Sequence, residues 1–411
     1  MTRRSLSLVR RFFITLVALA VIAPAMLTQR PLVAQEEGAD EQAAAAPDLS
    51  KIPQGDAKAL HAYIEKVATT PPPEDASEEE QVAFAKKSLS SLVTAANRLL
   101  EANPSDEQAV DAHGYRIQAL QALVALGVEK AQAQYEKALA EARSAKQPRI
   151  VGLGWQTYIQ DRVQQWDQLD EQAKQAFRDE IIKKVKAEGP QPIDVSIVHT
   201  TALQLDGADD EFVVNLLKQA GDLFAKSEDA DVKEALAEAN FDGMLRRLTL
   251  LGNEMEISGE LLSGGKVDWE SFSKDKVVLV DFWATWCGPC RAEIPNVLDM
   301  YEKYHDKGFE VLGVSLDRTP EDAKKYVAQN KLPWDSLFPS NEEERFWNHP
   351  LVEYYGISGI PTAILVGKDG KVVHMNARDE NLREALQRLL GDPVEKPQAE
   401  KAEAEKAAAA S

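Results

Sequence analysis

The feature that most limits how this chain can fold is a change of texture at Gly252. Before it, apolar residues recur at three- and four-residue spacing, the period of a helix with one buried face. In "SEEEQVAFAKKSLSSLVTAANRLLEA", Val82, Leu89, Leu92, Val93, Leu99 and Leu100 fall at such spacings. Ser77, with Glu80 three residues on, has the pattern of a capping box. "SDEQAVDAHGYRIQALQALVALG" continues the pattern and ends at Gly127, a residue suited to the turn after a helix. "VEKAQAQYEKALAEARSA", "DEQAKQAFRDEIIKKVKAEG" and "DDEFVVNLLKQAGDLFAKS" follow suit. Residues 55–251 are therefore expected to form an all-α domain, an array of helical hairpins with a repeat-like texture. The "GLG" at 152–154 is expected to be a turn between two helices.

After Gly252, short β-branched runs alternate with helical patterns. "KVVLVDFWA" reads as a buried strand and "PCRAEIPNVLDMYEKYHDKG" as a helix. "FEVLGVSLD" reads as a second strand, and "PEDAKKYVAQN" as a second helix. "TAILVGKDGKVVHM" predicts a hairpin turned at 368–370, and "NLREALQRLLG" a closing helix that stops at Gly391. A βαβ unit followed by ββα gives an α/β domain with a mixed central sheet over residues 252–391.

The chain has 411 residues and only two cysteines, Cys287 and Cys290, in "WCGPC". They sit where a strand ends and a helix begins. A thiol at a helix N-terminus faces unpaired N–H groups and the positive end of the helix dipole, which favour thiolate. Pro289 fits the first helical turn, where no N–H is needed. The expectation is that Cys287 attacks a disulfide and that Cys290, one turn in and less exposed, resolves the mixed disulfide. A zinc half-site is the rival reading, but zinc needs two further ligands at matching spacing. No other cysteine exists, and His305 and His349 have no paired spacing. No metal and no cofactor is expected. The "SGGKV" at 263–267 lacks the glycine spacing and the hydroxyl of a phosphate-binding loop.

The first 34 residues have a basic start (Arg3, Arg4, Arg10, Arg11) and an apolar run from Phe12 to Leu27. That is the layout of a secretory signal peptide, with a short membrane anchor as the rival. An exported chain lives where disulfides persist. Residues 35–54 are acidic and alanine-rich, residues 392–411 are rich in Ala, Glu and Lys without an apolar stripe, and the two are expected to be a disordered linker and tail. The net charge of −20 argues against nucleic-acid binding, which needs a basic footprint.

"VVLVDFWATWCGPC" together with "GISGIPTAILVGKDGKVV" resembles the thioredoxin-like family. "WCGPCRAEIP" and "LPWDSLFPSNEEERFWNHPLVEYYGISGIPT" are similar to its extracytoplasmic TlpA/ResA branch. The resemblance covers residues 252–391. It implies Cys287 as attacking and Cys290 as resolving cysteine of one redox disulfide. It implies that Trp286, Gly288, Pro289, Ile360 and Pro361 meet the substrate, with the Ile360–Pro361 bond cis. It implies Asp281 as the buried proton-transfer acid and Glu293 as the branch's active-site glutamate. Thioredoxins carry a lysine on the next strand beside that acid. Here Gly313 stands there, so Asp281 is expected to lack a cation and to have a raised pKa.

The function these features predict is an exported thiol–disulfide oxidoreductase that reduces protein disulfides. A membrane partner would re-reduce it, and the helical domain would bind a protein partner or substrate. The alternatives are a helical scaffold with an accessory redox domain, and a thiol peroxidase.

Overall fold

The structure is a computed structural model, and it describes residues 48, 49, 51–73, 75–187 and 189–394. The leader expected at 1–34 lies outside these residues, as do most of the expected linker and tail. Among the described residues no helix is long and apolar enough to cross a membrane. The chain divides into two compact units between Ile181 and Ile182.

The first unit is helical. It contains α1 (Ala57–Thr69), α2 (Glu78–Glu101), α3 (Asp106–Ala125), α4 (Ala131–Arg143) and α5 (Pro148–Gln164), and α6 (Glu171–Lys186) runs across its end. The capping box forms as its sequence predicts: Glu80 N donates to Ser77 Oγ, and Ser77 N donates to Glu80 Oε2 at 2.8 Å. The same device, Ser105 with Gln108, starts α3. Gly127 takes φ +68° just past the end of α3. Helix lengths from 13 to 24 residues give no regular repeat.

The "GLG" at 152–154 is not a turn. It lies inside α5, and a Cβ on Gly154 would stand 2.6 Å from the backbone nitrogen of Arg143. The glycine is there for close helix–helix approach, which sequence spacing alone does not distinguish from a turn.

The second unit opens with four more helices: α7 (Pro192–Leu205), α8 (Asp210–Phe224), α9 (Ala230–Ala239) and α10 (Phe241–Leu248). After them come α11 (Trp269–Ser273), β1 (Val277–Trp283), α12 (Gly288–Tyr304), β2 (Phe309–Ser315), α13 (Pro320–Asn330), β3 (Ser336–Leu337), α14 (Pro350–Tyr354), β4 (Thr362–Val366), β5 (Val372–His374) and α15 (Asp379–Leu390). The five-stranded sheet has the order β3-β2-β1-β4-β5. β1 runs parallel to β2 and antiparallel to β4, so the sheet is mixed, as the periodicities predict. β3 spans two residues and leaves no pattern to read.

Every residue of β1 is buried, which is why it reads as a continuous apolar run. Val278, Val280 and Phe282 enter one core, and Val277 and Leu279 enter the other, with Ile294 and Val297 of α12 and Leu382 of α15. Each fully buried aliphatic here contributes about 1.5–3 kcal/mol. By this alternation Asp281 belongs to the α12 and α15 side. Its register partners are Gly313 and Ala363.

The composition changes at Gly252, but the packing does not divide there. Asn240, which caps α10, donates from Nδ2 to the carbonyl of Glu353 at 2.7 Å. A Cβ on Gly243 would lie 2.7 Å from that carbonyl, and one on Gly356 (φ +55°) 2.6 Å from Met244 N. Two backbones meet at this crossing, and only glycine leaves them room. Arg246 adds a stacking contact 3.9 Å from the centroid of the Tyr354 ring and a hydrogen bond to the Tyr354 carbonyl. The last helices of the expected helical domain thus pack onto the segment that precedes Ile360–Pro361.

Candidate active site

Cys287 is the N-cap of α12, with extended backbone (φ −81°, ψ 103°), and Pro289 lies in the first turn. Backbone rules suffice to put both there, since a proline in the first turn gives up no helical hydrogen bond. Cys287 and Cys290 form a disulfide with their Cα atoms 5.3 Å apart. Cys290 N donates to Cys287 Sγ at 3.1 Å. This donor and the helix dipole converge on one sulfur, and they would stabilise negative charge on it once the bond is reduced.

The expected difference in exposure is not what distinguishes the two cysteines. Cys287 is 5% exposed and Cys290 3%, because the closed disulfide draws both into one core. The cap hydrogen bond distinguishes them.

Gly288 and Pro289 are exposed at the helix tip. Trp286 is 47% exposed and donates from Nε1 to the Leu316 carbonyl at 3.3 Å. Its ring packs against Phe346 (5.4 Å between centroids) and Trp347 (6.3 Å). Arg318 lies over the Phe346 ring, 3.9 Å from its centroid. The loop before Cys287 is held by Asp317, a buried acid that the sequence reading passed over. Its carboxylate accepts from Thr285 N (3.0 Å), Thr285 Oγ1 (2.6 Å) and Ser315 Oγ (3.1 Å). An Asp just after a strand is a common loop residue, and nothing local marks it as the anchor of a segment 32 residues away.

The Ile360–Pro361 peptide bond is cis. Asp281 is 6% exposed, and among the described residues no donor reaches its carboxylate. Burial, the first cause, pushes its pKa up to about 7; the nearby Glu293 carboxylate adds to the rise, and Arg378 opposes it. The raised pKa agrees with the sequence expectation, but the absence of a cation does not: Arg378 supplies one from the opposite side. On β2 no side chain would fit, since a Cβ on Gly313 would stand 2.2 Å from Ser336 Oγ and 2.9 Å from Trp283 Nε1.

Glu293 is half-buried and engaged. Its Oε1 accepts from Asn296 Nδ2 (2.7 Å) and from the backbone N of Asp379 (2.9 Å) at the start of α15. A carboxylate is favoured there by the helix dipole. The neighbouring Arg378 donates from Nη1 to the Pro361 carbonyl at 3.3 Å and from Nε to Asn376 Oδ1 at 3.0 Å. Asp281, Glu293, Pro361 and Arg378 thus come from four separate segments. The structure brings Asp281 of β1 within electrostatic reach of Glu293 of α12, which their spacing in sequence does not reveal. Among the described residues no group of three or more His, Cys, Asp or Glu side chains is placed to hold a metal ion.

A strand, a CxxC helix start, a mixed sheet and a cis-proline strand make a thioredoxin-type site, and comparison with known proteins agrees. A family model described as thioredoxin-like matches residues 275–372. The thiol-disulfide oxidoreductase ResA of Bacillus thuringiensis subsp. konkukian is 33% identical over 129 residues, which cover 31% of this chain and 69% of that protein. Human nucleoredoxin is 36% identical over 131 residues, 31% of this chain and 29% of that one. The solved thioredoxin domain of a thiol-disulfide oxidoreductase from Bacteroides vulgatus shares 35% identity, with a TM-score of 0.31, over 34% of this chain and 97% of that one. Through its C-terminal domain, this chain belongs to the thioredoxin-like family in its ResA-like branch, and it is a thiol-disulfide oxidoreductase.

Proposed function

We propose that the protein is exported and reduces protein disulfides through a dithiol–disulfide cycle of Cys287 and Cys290. The observation that carries this reading is the Cys287–Cys290 disulfide at the start of α12, with the Cys290 N–H directed at Cys287 Sγ. In the reduced protein, the Cys287 thiolate attacks one sulfur of a substrate disulfide. The S–S bond breaks, one substrate sulfur leaves as thiolate and takes up a proton, and the other is held in a mixed disulfide. Asp281, whose pKa near 7 lets it exchange protons at neutral pH, takes the proton of Cys290. The Cys290 thiolate then attacks Cys287 Sγ, expels the second substrate thiolate and closes the internal disulfide. Two electrons pass to the substrate. A dithiol partner must return them, and for an exported protein that partner sits in the membrane.

The half-exposed Trp286 and the exposed Gly288–Pro289 offer the face a substrate meets, and the family resemblance sets Ile360–Pro361 opposite it. The Gly-Pro pair between the cysteines and the isoleucine before Pro361 resemble reducing thioredoxins, and this favours reduction over oxidation. The basic and apolar start of the chain supports export. The helical unit ahead of Ile182 contributes no cysteine, and its solvated helix faces suit capture of a protein partner.

The test is Cys290→Ser in the full chain with a disulfide-bonded protein such as insulin. A mixed disulfide through Cys287 should accumulate, and Cys287→Ser should trap none. Faster alkylation of Cys290 than of Cys287 in the reduced protein would reverse the assignment.

A further inference from the structure

Asp281 lies on β1, and among the described residues two charged side chains are brought to bear on it. β2 places Gly313 opposite it and β4 places Ala363, so neither neighbouring strand offers a charge at that position. α12 brings Glu293, and the segment between β5 and α15 brings Arg378. These two are linked through adjacent residues: Glu293 Oε1 accepts from Asp379 N at 2.9 Å, and Arg378 donates to the Pro361 carbonyl at 3.3 Å. The remaining Glu293 contact, Asn296 Nδ2, also reaches the Asp379 carbonyl at 3.4 Å. The Arg378–Asp379 pair is therefore a clamp. One residue holds the Pro361 carbonyl, the next holds the CxxC helix, and the guanidinium sets a positive charge against the two acids. Arg378 is itself set in place by Asn376 Oδ1, at 3.0 Å from Nε. Two further titratable side chains flank this segment: His374 at the end of β5, whose Nδ1 accepts from Asn376 N at 3.0 Å, and Asp379, exposed at the start of α15.

We propose that Arg378 is a positioning residue of the thiol–disulfide reaction: it fixes the Pro361 carbonyl and sets its charge against the Asp281–Glu293 acid pair. An arginine suits both tasks, because its planar fork can hold a carbonyl and a side-chain amide at once and stays charged at every working pH. The proposal rests on Asp281 as the proton-transfer group of the proposed cycle. Its direction follows from Coulomb's law: the cation favours the ionised carboxylate, so its loss makes Asp281 a group that ionises only at higher pH.

The experiment is the pH profile of insulin reduction by the full chain. The variants are Arg378→Gln, Arg378→Lys, Asn376→Asp, His374→Gln and Asp281→Asn. The inflection near pH 7 should vanish in Asp281→Asn. In Arg378→Gln it should move upward by about half a unit or more, about a threefold change in the ionised fraction ratio. Arg378→Lys should lower the rate with the inflection in place, since it keeps the charge and loses the fork. Asn376→Asp sets a carboxylate against Nε at an exposed position, so it should move the inflection in the same direction as Arg378→Gln, by less. It gives the answer even if Arg378→Gln does not fold. His374→Gln should leave the inflection where it is. Two results would overturn the proposal, and they are distinct. If the inflection survives in Asp281→Asn, the proton-transfer reading itself fails. If it vanishes there but neither Arg378→Gln nor Asn376→Asp moves it, Asp281 keeps its role and Arg378 is only a structural tie.

Discussion

The half-buried acids of the helical unit and Asp281 of β1 are treated in opposite ways. In the helical unit, Asp161 accepts from the Tyr135 hydroxyl and from Gln121 Nε2 at 3.0 Å. Glu180 accepts from Arg143 Nη1 at 2.7 Å and from the Tyr158 hydroxyl. Both acids are only half-buried, yet both are supplied with donors. Asp281 in β1 is more deeply buried and receives none among the described residues. The difference is not a general property of the second unit, because Asp317, 1% exposed, accepts three hydrogen bonds from Thr285 and Ser315. A buried acid that packs is satisfied; leaving one without donors costs stability, and the cost persists where the chemistry uses it.

Asp281→Asn breaks the comparison most sharply. A carboxyl raised from 3.8 to about 7 on folding is more easily protonated in the folded state. Its burial therefore costs nothing below the unfolded value, costs more as pH rises through the window from about 4 to 7, and costs the full amount above that. The variant should be more stable than the native protein by about 2–4 kcal/mol at pH 8 and no more stable at pH 4. Its disulfide exchange should be slower by about 100-fold at pH 7. Chemical denaturation at the two pH values and a stopped-flow exchange assay read these effects. An equal stability difference at both would show an ordinary carboxylate at 281.

Asp317→Ala should act in the other direction. It strands the Thr285 donors and Ser315 Oγ, and it should cost about 2–4 kcal/mol on melting. The reaction should slow because the loop ahead of Cys287 loosens, but the inflection near pH 7 should stay where it is. A shift of that inflection would mean that Asp317 too tunes the chemistry.

The smallest effect is expected from removing residues 55–181. Every residue of the proposed site lies in the second unit, so reduction of a small disulfide should be unchanged while capture of a protein partner is lost. A cut at 251 instead removes α10, its glycine crossing with the segment around Gly356 and the Asn240–Glu353 hydrogen bond. That shorter protein should melt earlier than the chain cut at 181. Equal melting temperatures would return the working boundary to Gly252.

Much of this was legible because it is local. A capping box needs four consecutive residues, and Ser77 with Glu80 announced the start of α2. The CxxC motif needs a strand end, a helix start and a proline within one turn, and all lie within "FWATWCGPC". The alternation of strand and helix patterns after Gly252 was enough for a mixed sheet. "GLG" misled because a glycine that permits close helix approach and one that permits a turn have the same letter.

The sequence by itself determined the two textures of the chain, the mixed sheet, and a pair of thiols placed at a helix start. Each follows from the period of apolar residues or from backbone preferences over a few residues. Tertiary structure alone decided that four helices before Gly252 share a compact unit with the sheet, that Asp317 anchors Thr285, and that Arg378 answers the charge on Asp281. Those are meetings of groups far apart along the chain. No periodicity encodes them, because the distance between two side chains is set by how the sheet and helices pack, and an arginine in a loop carries the same local signal whether or not a buried acid lies nearby.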